Sequence, residues 1–321
     1  MSTDPANLFD YNTGILEKGP GYTDTFPHTG ANFWKDWERP VHFEYVDENG
    51  VAQLEFNAGV KVFGQYSRAM DQKSLSINLR DRYGPKEFCY PLFGQDAATN
   101  VYSELVLRNA GQDGSHAHLR DAFVARTIKG QADVDFMDYR PVVVYINGEY
   151  YGLYDLREKI CESYVSNRTG ADEDTIDMIK GESILMSGSL TAYKELLQYV
   201  KTHDLSKQEN YDHVASLVDV DELIDYWIAI SFFGNTDTGN IKFYRERVDG
   251  AKWRWVVFDQ DWALWPSTHT WNMVEEIINP NGHGVGHMFS TDLMRGLMHN
   301  TAFRDKFLST YGKRLKTTYS T

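Results

Sequence analysis

The residues with the clearest capacity for chemistry lie in two short polar segments, each of which follows an apolar stretch. The first segment carries Asp237 and Asn240, and the second follows the apolar run 253–258 and carries Asp259 and Asp261. Carboxylates just beyond a strand end can point together into a cleft, and Mg²⁺ and Mn²⁺ prefer such oxygen ligands. The pattern therefore predicts a metal site. Ordinary turn composition and loop capping would explain the same residues without a metal.

The order of these residues also matches the arrangement that kinases use for phosphoryl transfer. There, a loop Asp accepts the proton of the substrate hydroxyl, a nearby Asn binds metal, and a later Asp binds metal between phosphates. Asp237 is followed three residues on by Asn240, and a predicted hairpin then leads to the strand-end Asp259 and Asp261. An Asp-x-Asp sequence alone is weak evidence. The pairing of two polar segments across one hairpin is what favours a metal-dependent enzyme.

Strands are predicted for much of the first half of the chain, and the strongest hairpin signal is Asn147-Gly148 between two apolar runs. A helix is predicted over 119–128 from its apolar period, with Asp113 or Ser115 as N-cap. The predicted strands of this half are 41–46, 58–63, 74–79, 141–146 and 151–156.

The second half is predicted to be mainly helical from about residue 163, with only two strands, 241–245 and 253–258. Together the two halves predict an α+β protein with two lobes. We expect a loop-rich N-terminal extension over 1–37, a strand-rich lobe over about 38–160 and a mainly helical lobe over about 161–321.

Composition narrows the classes of partner. The chain has 321 residues and a formal net charge of −14, which argues against nucleic acid and anionic membranes as bulk partners. No apolar run approaches the roughly 20 residues needed to span a bilayer. The first residues, Met1–Pro5, lack the charged and then apolar layout of a secretory signal. If the natural protein is exported, we expect its signal peptide to be missing from this sequence.

Two other sets of possible ligands are predicted to be inert. Cys89 and Cys161 form no CxxC pair and are expected to be buried thiols rather than a disulfide. His283 and His287 have the spacing of metal ligands on a helix, but the glycines around them predict a loop.

Several sequence blocks resemble those of one known family. Residues 147–158, NGEYYGLYDLRE, resemble the NGxYxGxYxxxE hallmark of the CotH (spore coat protein H) atypical protein kinases. Segments 235–240 and 253–262 are similar to two further blocks of that family. Residues 59–75 resemble its early GxxxxGxxSR…KS block. The blocks occur in the family's order, and the resemblance covers roughly residues 36–316.

The resemblance implies a stripped-down kinase-like fold that uses ATP and Mg²⁺ or Mn²⁺ to phosphorylate protein substrates. By position, Asp237 is implied as the catalytic carboxylate and Asn240 as its metal-binding companion. Asp259 or Asp261 is implied as the second metal ligand, and the choice between them stays open. As in the family, the ordinary kinase signatures are absent. The family also implies an extracellular, cell-surface or spore-coat location.

A nucleotide site needs cations for the phosphates and an apolar slot for adenine. Lys73 is the candidate phosphate lysine, with Arg68 close by in sequence, and Glu158 is a candidate partner for Lys73, as in the kinase lysine–glutamate pair. Tyr151 and Trp255 are candidates for stacking on adenine. An exposed lysine at a strand edge and aromatic rings in the core are the alternatives.

Two other functions remain open from the sequence. One is a catalytically silent module that keeps the fold for binding proteins or polysaccharide at a spore or cell surface. The other is a metal-dependent hydrolase or nucleotidyltransferase that uses the same carboxylates. The fate of a labelled γ-phosphate would separate the enzymes, because each chemistry sends it to a different product.

Overall fold

The computed structural model describes residues 1–181, 183–237, 239–279 and 291–320. The fold class is α+β, as predicted. The strands are β1 (Arg39–Val46), β2 (Ala52–Val62), β3 (Leu75–Asn78), β4 (Phe88–Cys89), β5 (Val101–Tyr102), β6 (Glu104–Arg108), β7 (Asp135–Phe136), β8 (Tyr139–Ile146), β9 (Glu149–Glu158), β10 (Ile176–Lys180), β11 (Ile184–Ser187), β12 (Lys242–Glu246) and β13 (Arg254–Val257). The α-helices are α1 (Pro5–Phe9), α2 (Arg120–Ile128), α3 (Glu162–Thr169), α4 (Thr191–Thr202), α5 (Gln208–Leu217), α6 (Val220–Phe233), α7 (Met273–Ile278), α8 (Asp292–Met298) and α9 (Thr301–Lys316).

The chain forms two compact units. The first comprises 1–118 and 138–168, and the second comprises 119–137 and 169–321. The first unit is built on an antiparallel sheet with the strand order β1-β2-β3-β6-β9-β8. Alternate residues of its strands enter one hydrophobic core, which also takes side chains from the first 37 residues, including Leu8, Ile15 and Phe33. The N-terminal segment is therefore a packed part of this unit.

The predicted β8–β9 hairpin is confirmed. Asn147 and Gly148 form its turn, with φ angles of 52° and 86°. Positive φ at both central residues is the requirement of a type I′ turn, which an Asn-Gly pair meets at low cost. The turn thereby fixes the register of the strand that carries Tyr151 and Glu158.

The second unit is built on a five-stranded sheet with the order β11-β10-β12-β13-β7. Helix α6 packs on it and is buried along almost its whole length. The Asp219 side chain accepts a hydrogen bond from the backbone N–H of Glu222 at the start of α6. The helix ends at Gly234, whose φ of 63° is the left-handed conformation that glycine adopts without steric cost.

Two predictions about secondary structure are wrong. The second half of the chain contains β10 and β11 as well as the two predicted strands. The run that forms β10 includes Asp177, which is buried because Arg245 and Arg247 pair with it, and a charged residue in a short apolar run hides the strand pattern. Helix α2 begins at Arg120 after Leu119, while Asp113 and Ser115 belong to a separate 3₁₀ turn and do not cap it.

In the parts of the chain that the structure describes, no helix is both long enough and apolar enough to cross a membrane. Cys89 and Cys161 are free thiols, but Cys89 is exposed rather than buried as predicted. His283 and His287 lie outside the described residues.

Candidate active site

The loop after α6 is organised around Asp237. Its backbone N–H donates to the side-chain oxygen of the buried Asn235 over 3.1 Å. The side-chain Nδ2 of Asn240 donates to Asp237 Oδ2 over 2.9 Å, and the Asn240 backbone N–H donates to the Asp237 carbonyl over 3.3 Å. The Asp and the Asn that the sequence singled out are therefore in direct contact.

The sheet brings the second polar segment to the same edge. Strands β12 and β13 are antiparallel, with Lys242 opposite Val256, so the loop that enters β12 and the segment that leaves β13 lie at one end of the hairpin. A backbone hydrogen bond of 2.6 Å from Leu264 to Phe233 ties the second segment to the end of α6. We name Asp237, Asn240, Asp259 and Asp261 the carboxylate edge.

The segment 259–261 has an unusual backbone and an anchored centre. Asp259 has a φ of 56°, a left-handed conformation that is uncommon for residues other than glycine and is found most often at Asn and Asp. The backbone N–H of Gln260 donates to Asp121 Oδ1 over 3.0 Å, and Gln260 Nε2 donates to the Phe258 carbonyl over 2.8 Å. Asp261 is only 1% exposed. The two aspartates therefore differ, because Asp259 has a left-handed backbone and Asp261 is buried.

The structure adds residues to the site that the sequence did not identify as functional. Asp121, in the first turn of α2, holds the Asp259–Asp261 segment through the Gln260 N–H. The ammonium of Lys242 lies 4.7 Å from the centre of the Phe258 ring, directly before Asp259 in sequence. Asp121 is more than a hundred residues from the segment that it holds, so no local motif could have revealed it. Lys242 could have been found from the sequence, because it follows Asn240 by only two residues.

Behind the carboxylate edge, the position of β13 is fixed by a buried acid. Both carboxylate oxygens of Glu222 lie 3.0 Å from the backbone nitrogen of Trp255, which donates to them. Burial raises the pKa of Glu222 well above its ordinary value, and the charge of Arg254 acts against that rise. Trp255 itself is 3% exposed and stacks on Phe243 in the core. To stack on adenine, this ring would have to leave the core, so the structure favours the packing alternative.

In the first unit, Lys73 and Glu158 do not pair. The Lys73 ammonium donates to the Met70 carbonyl over 2.8 Å. The Glu158 carboxylate forms an ion pair of 2.5 Å with Arg168 and accepts from the Asp138 backbone N–H over 2.9 Å. The prediction of a lysine–glutamate pair is wrong because β9 places Glu158 beside Arg168, and burial raises the pKa of the Glu158 carboxyl despite that partner.

The other two predicted nucleotide ligands also have structural partners. The Arg68 guanidinium donates to the carbonyls of Gly64 and Phe33, which holds the turn between β2 and β3. The Tyr151 ring is parallel to that of Tyr154 at 6.2 Å, and burial raises the pKa of its hydroxyl to about 12. Tyr151 therefore packs on the core of its unit, and its contact with a nucleotide stays a prediction.

The donor atoms at the carboxylate edge suit a hard divalent metal. Because Asn240 Nδ2 faces a carboxylate, its oxygen is directed elsewhere and is the atom that a cation could bind. The buried Oε1 of Gln260 has no hydrogen-bond partner among the described residues, and such an orphaned acceptor suits a cation or an ordered water. No group of three or more His, Cys, Asp or Glu in the described ranges is placed to hold a metal. Bound metal would therefore also need amide, water or phosphate oxygens, as Mg²⁺ usually does.

The chain is thus an α+β protein in which Asp237, Asn240, Asp259 and Asp261 lie in loops at one end of the β12–β13 hairpin. The family model described as CotH kinase protein matches residues 60–320, and the chain therefore belongs to the CotH kinase family. This confirms the resemblance drawn from the sequence blocks. No curated protein shows significant similarity to the chain.

Proposed function

We propose that this protein is a metal-dependent kinase that transfers the γ-phosphate of ATP to Ser or Thr hydroxyls of a protein substrate. One observation carries the proposal in a chain of this family: Asp237 and Asn240 are hydrogen-bonded at the sheet edge to which β13 delivers Asp259 and Asp261. A catalytic-loop Asp with a companion Asn, followed by a metal-binding Asp, is the set that kinase chemistry requires.

In the proposed reaction, Asp237 accepts the proton of the acceptor hydroxyl. The hydroxyl oxygen forms a bond to the γ-phosphorus, the bond from that phosphorus to the β,γ-bridging oxygen breaks, and ADP leaves. Asn240 orients the Asp237 carboxylate through its amide N–H, and a fixed orientation is what makes proton acceptance effective.

Asn240, Asp259 and Asp261 would hold Mg²⁺ or Mn²⁺. When bound, the metal neutralises charge on the phosphate oxygens. Asp121 keeps the Asp259–Asp261 segment in place through the Gln260 N–H. A role for Lys73, Arg68 or Tyr151 in binding the nucleotide stays a prediction.

A catalytically silent binding module is the second candidate. It is favoured by one observation, namely that the described residues contain no acidic or histidine cluster sufficient to hold a metal without other ligands. A kinase needs no such cluster before ATP binds, because phosphate oxygens and waters complete the coordination. Only an activity measurement separates the two candidates.

The test follows two labels through the same reaction. The protein is incubated with Mn²⁺, an acceptor protein and ATP labelled at either the γ- or the α-phosphate. The kinase proposal predicts that γ-label enters protein and α-label does not. Release of γ-label to water would instead support a hydrolase. Incorporation of α-label into protein would support a nucleotidyltransferase, and the absence of turnover would support the silent module.

A further inference from the structure

A cavity of about 410 Å³ lies wholly within the first unit. Cavities of this size hold small organic ligands. Most of its wall comes from residues that precede residue 60, where the match to the family begins. The wall contains several aromatic rings, two lysines, two acidic residues and Ala69.

The most buried charged group in the wall of this cavity is the ammonium of Lys73, a residue that is only 6% exposed. One N–H donates to the Met70 carbonyl, and the ammonium lies 4.5 Å from the centre of the Phe33 ring. An ammonium has three donors and is costly to bury without partners for them. Burial accordingly lowers the pKa of Lys73, and the nearby charges of Asp71 and Glu17 oppose that effect only in part. An anionic group in the cavity would satisfy this buried cation.

The rest of the wall indicates the body of the ligand. The second lysine, Lys18, lies over the Tyr22 ring at 5.1 Å, and its charge also lowers the pKa of Lys73, so the two cations repel each other. An anion beside them would relieve that repulsion. Tyr11, Tyr22 and Phe33 contribute ring surface, and flat apolar ligands pack well against rings.

We propose that this cavity binds a small aromatic anion, an aromatic carboxylate or an aromatic phosphate ester, with its anionic group on the Lys73 ammonium. All residues of its wall belong to the first unit, whereas the carboxylate edge belongs to the second. The proposal does not depend on the phosphotransferase proposal, and it assigns Lys73 to this ligand instead of to the nucleotide. Glu17 and Asp71, which carry negative charge in the same wall, favour ligands with one anionic group over polyanions.

The experiment measures the binding of benzoate and of phenyl phosphate to the full chain by calorimetry. The variant Lys73→Met removes the ammonium and keeps most of the side-chain volume. The matched control is Lys35→Met. The Lys35 ammonium also donates to one oxygen, Asn32 Oδ1 at 3.1 Å, and also lies near a ring, that of Trp37, but Lys35 does not line the cavity. We expect at least one probe to bind the wild type, Lys73→Met to weaken it about tenfold to a hundredfold, and Lys35→Met to leave it unchanged.

A second variant, Ala69→Leu, guards against misfolding of Lys73→Met because it fills the cavity without changing charge, and it should also weaken binding. No binding of either probe at about 10 mM would overturn the proposal. Equal affinity in the wild type and in a folded Lys73→Met or Ala69→Leu variant would do the same. Displacement of the probe by ATP with Mg²⁺ would show that the cavity is the nucleotide site and would overturn the proposal. Unchanged probe affinity with saturating ATP and Mg²⁺ is the supporting result.

Discussion

The amide of Asn240 donates from Nδ2 to Asp237 Oδ2 over 2.9 Å. A carboxylate accepts and does not donate, so the amide nitrogen must face Asp237 and the amide oxygen must face away. The pair thus does two things at once, because it fixes the direction of the Asp237 carboxylate and it turns the neutral amide oxygen of Asn240 away from that carboxylate. A fixed carboxylate and a nearby neutral oxygen are both needed where a carboxylate accepts a proton next to a metal-bound phosphate.

The two aspartates after β13 should differ in importance. Asp259→Asn and Asp261→Asn, made singly, remove a negative charge and keep the shape of the side chain, and Asn tolerates the positive φ at 259. The substitution at the metal-bridging position should reduce phosphate transfer on the order of 10²–10³-fold, and the other should reduce it less. Neither should lower the metal-free melting temperature, because Asn keeps the shape of the side chain and an oxygen that accepts hydrogen bonds. Steady-state transfer and circular dichroism melting are measured on the same samples.

Full activity of both variants would contradict this mechanism. Loss of the fold in either variant would show that the aspartate is a structural cap.

Asp121 should act as a positioning residue through the Gln260 N–H. Asp121→Ala leaves that buried N–H without its acceptor and should destabilise the protein by about 1–3 kcal/mol, measured by urea unfolding. It should also lower kcat, because the Asp259–Asp261 segment loses its anchor. Asp121→Asn keeps an acceptor oxygen and should restore most of both properties. Equal loss of kcat in Asn and Ala would contradict positioning and would indicate that the charge itself is required.

The two hairpins, and with them the position of the carboxylate edge at one end of β12 and β13, could be predicted from the sequence because the patterns that specify them are local. Asn147-Gly148 specifies its own turn, and the Asp and Asn of the loop after α6 are three residues apart. The anchoring of Gln260 by Asp121 could not be predicted, because it depends on a tertiary contact between residues far apart in sequence. The prediction of partners for buried charges failed for the same reason. Glu158 pairs with Arg168 rather than with Lys73.

Aromatic residues were equally difficult to assign from sequence. Trp255 belongs to a strand whose residues are nearly all buried, and a fully buried strand has no exposed face to distinguish a ligand-stacking ring from a core ring. Trp255 is buried because α6 packs on β13, with Glu222 of α6 accepting the Trp255 N–H, and this contact joins residues far apart in sequence.

Glu222 should make the stability of the protein fall as pH rises. The pKa of this buried acid is raised above its ordinary value of 4.5, so the folded state holds a proton that the unfolded state releases. The contribution of Glu222 to stability is therefore fully present below about pH 4.5 and is lost as pH rises through the raised pKa. Glu222→Gln keeps an acceptor for the Trp255 N–H and removes this titration. Urea unfolding at several pH values should show a smaller stability loss above pH 4.5 in Glu222→Gln, and identical pH profiles would contradict the prediction.

ATP and metal should stabilise the protein together. A ligand that binds only the folded state at a hundred times its Kd adds about 2.7 kcal/mol to the free energy of unfolding, which raises the melting temperature measurably. ATP with Mn²⁺ should produce this shift and ATP with EDTA should produce much less. Equal shifts in the two conditions would separate the carboxylate edge from nucleotide binding.

The role of Asp237 as the acceptor of the proton during phosphate transfer is tested by measuring γ-phosphate transfer to protein with Mn²⁺ in Asp237→Asn. The matched control is Asp249→Asn, an exposed aspartate in the turn at the opposite end of the β12–β13 hairpin. We expect Asp237→Asn to lose transfer by about 10²–10⁴-fold with an unchanged metal-free melting temperature, while Asp249→Asn matches the wild type. Transfer by Asp237→Asn at the wild-type rate would show that Asp237 does not accept the proton.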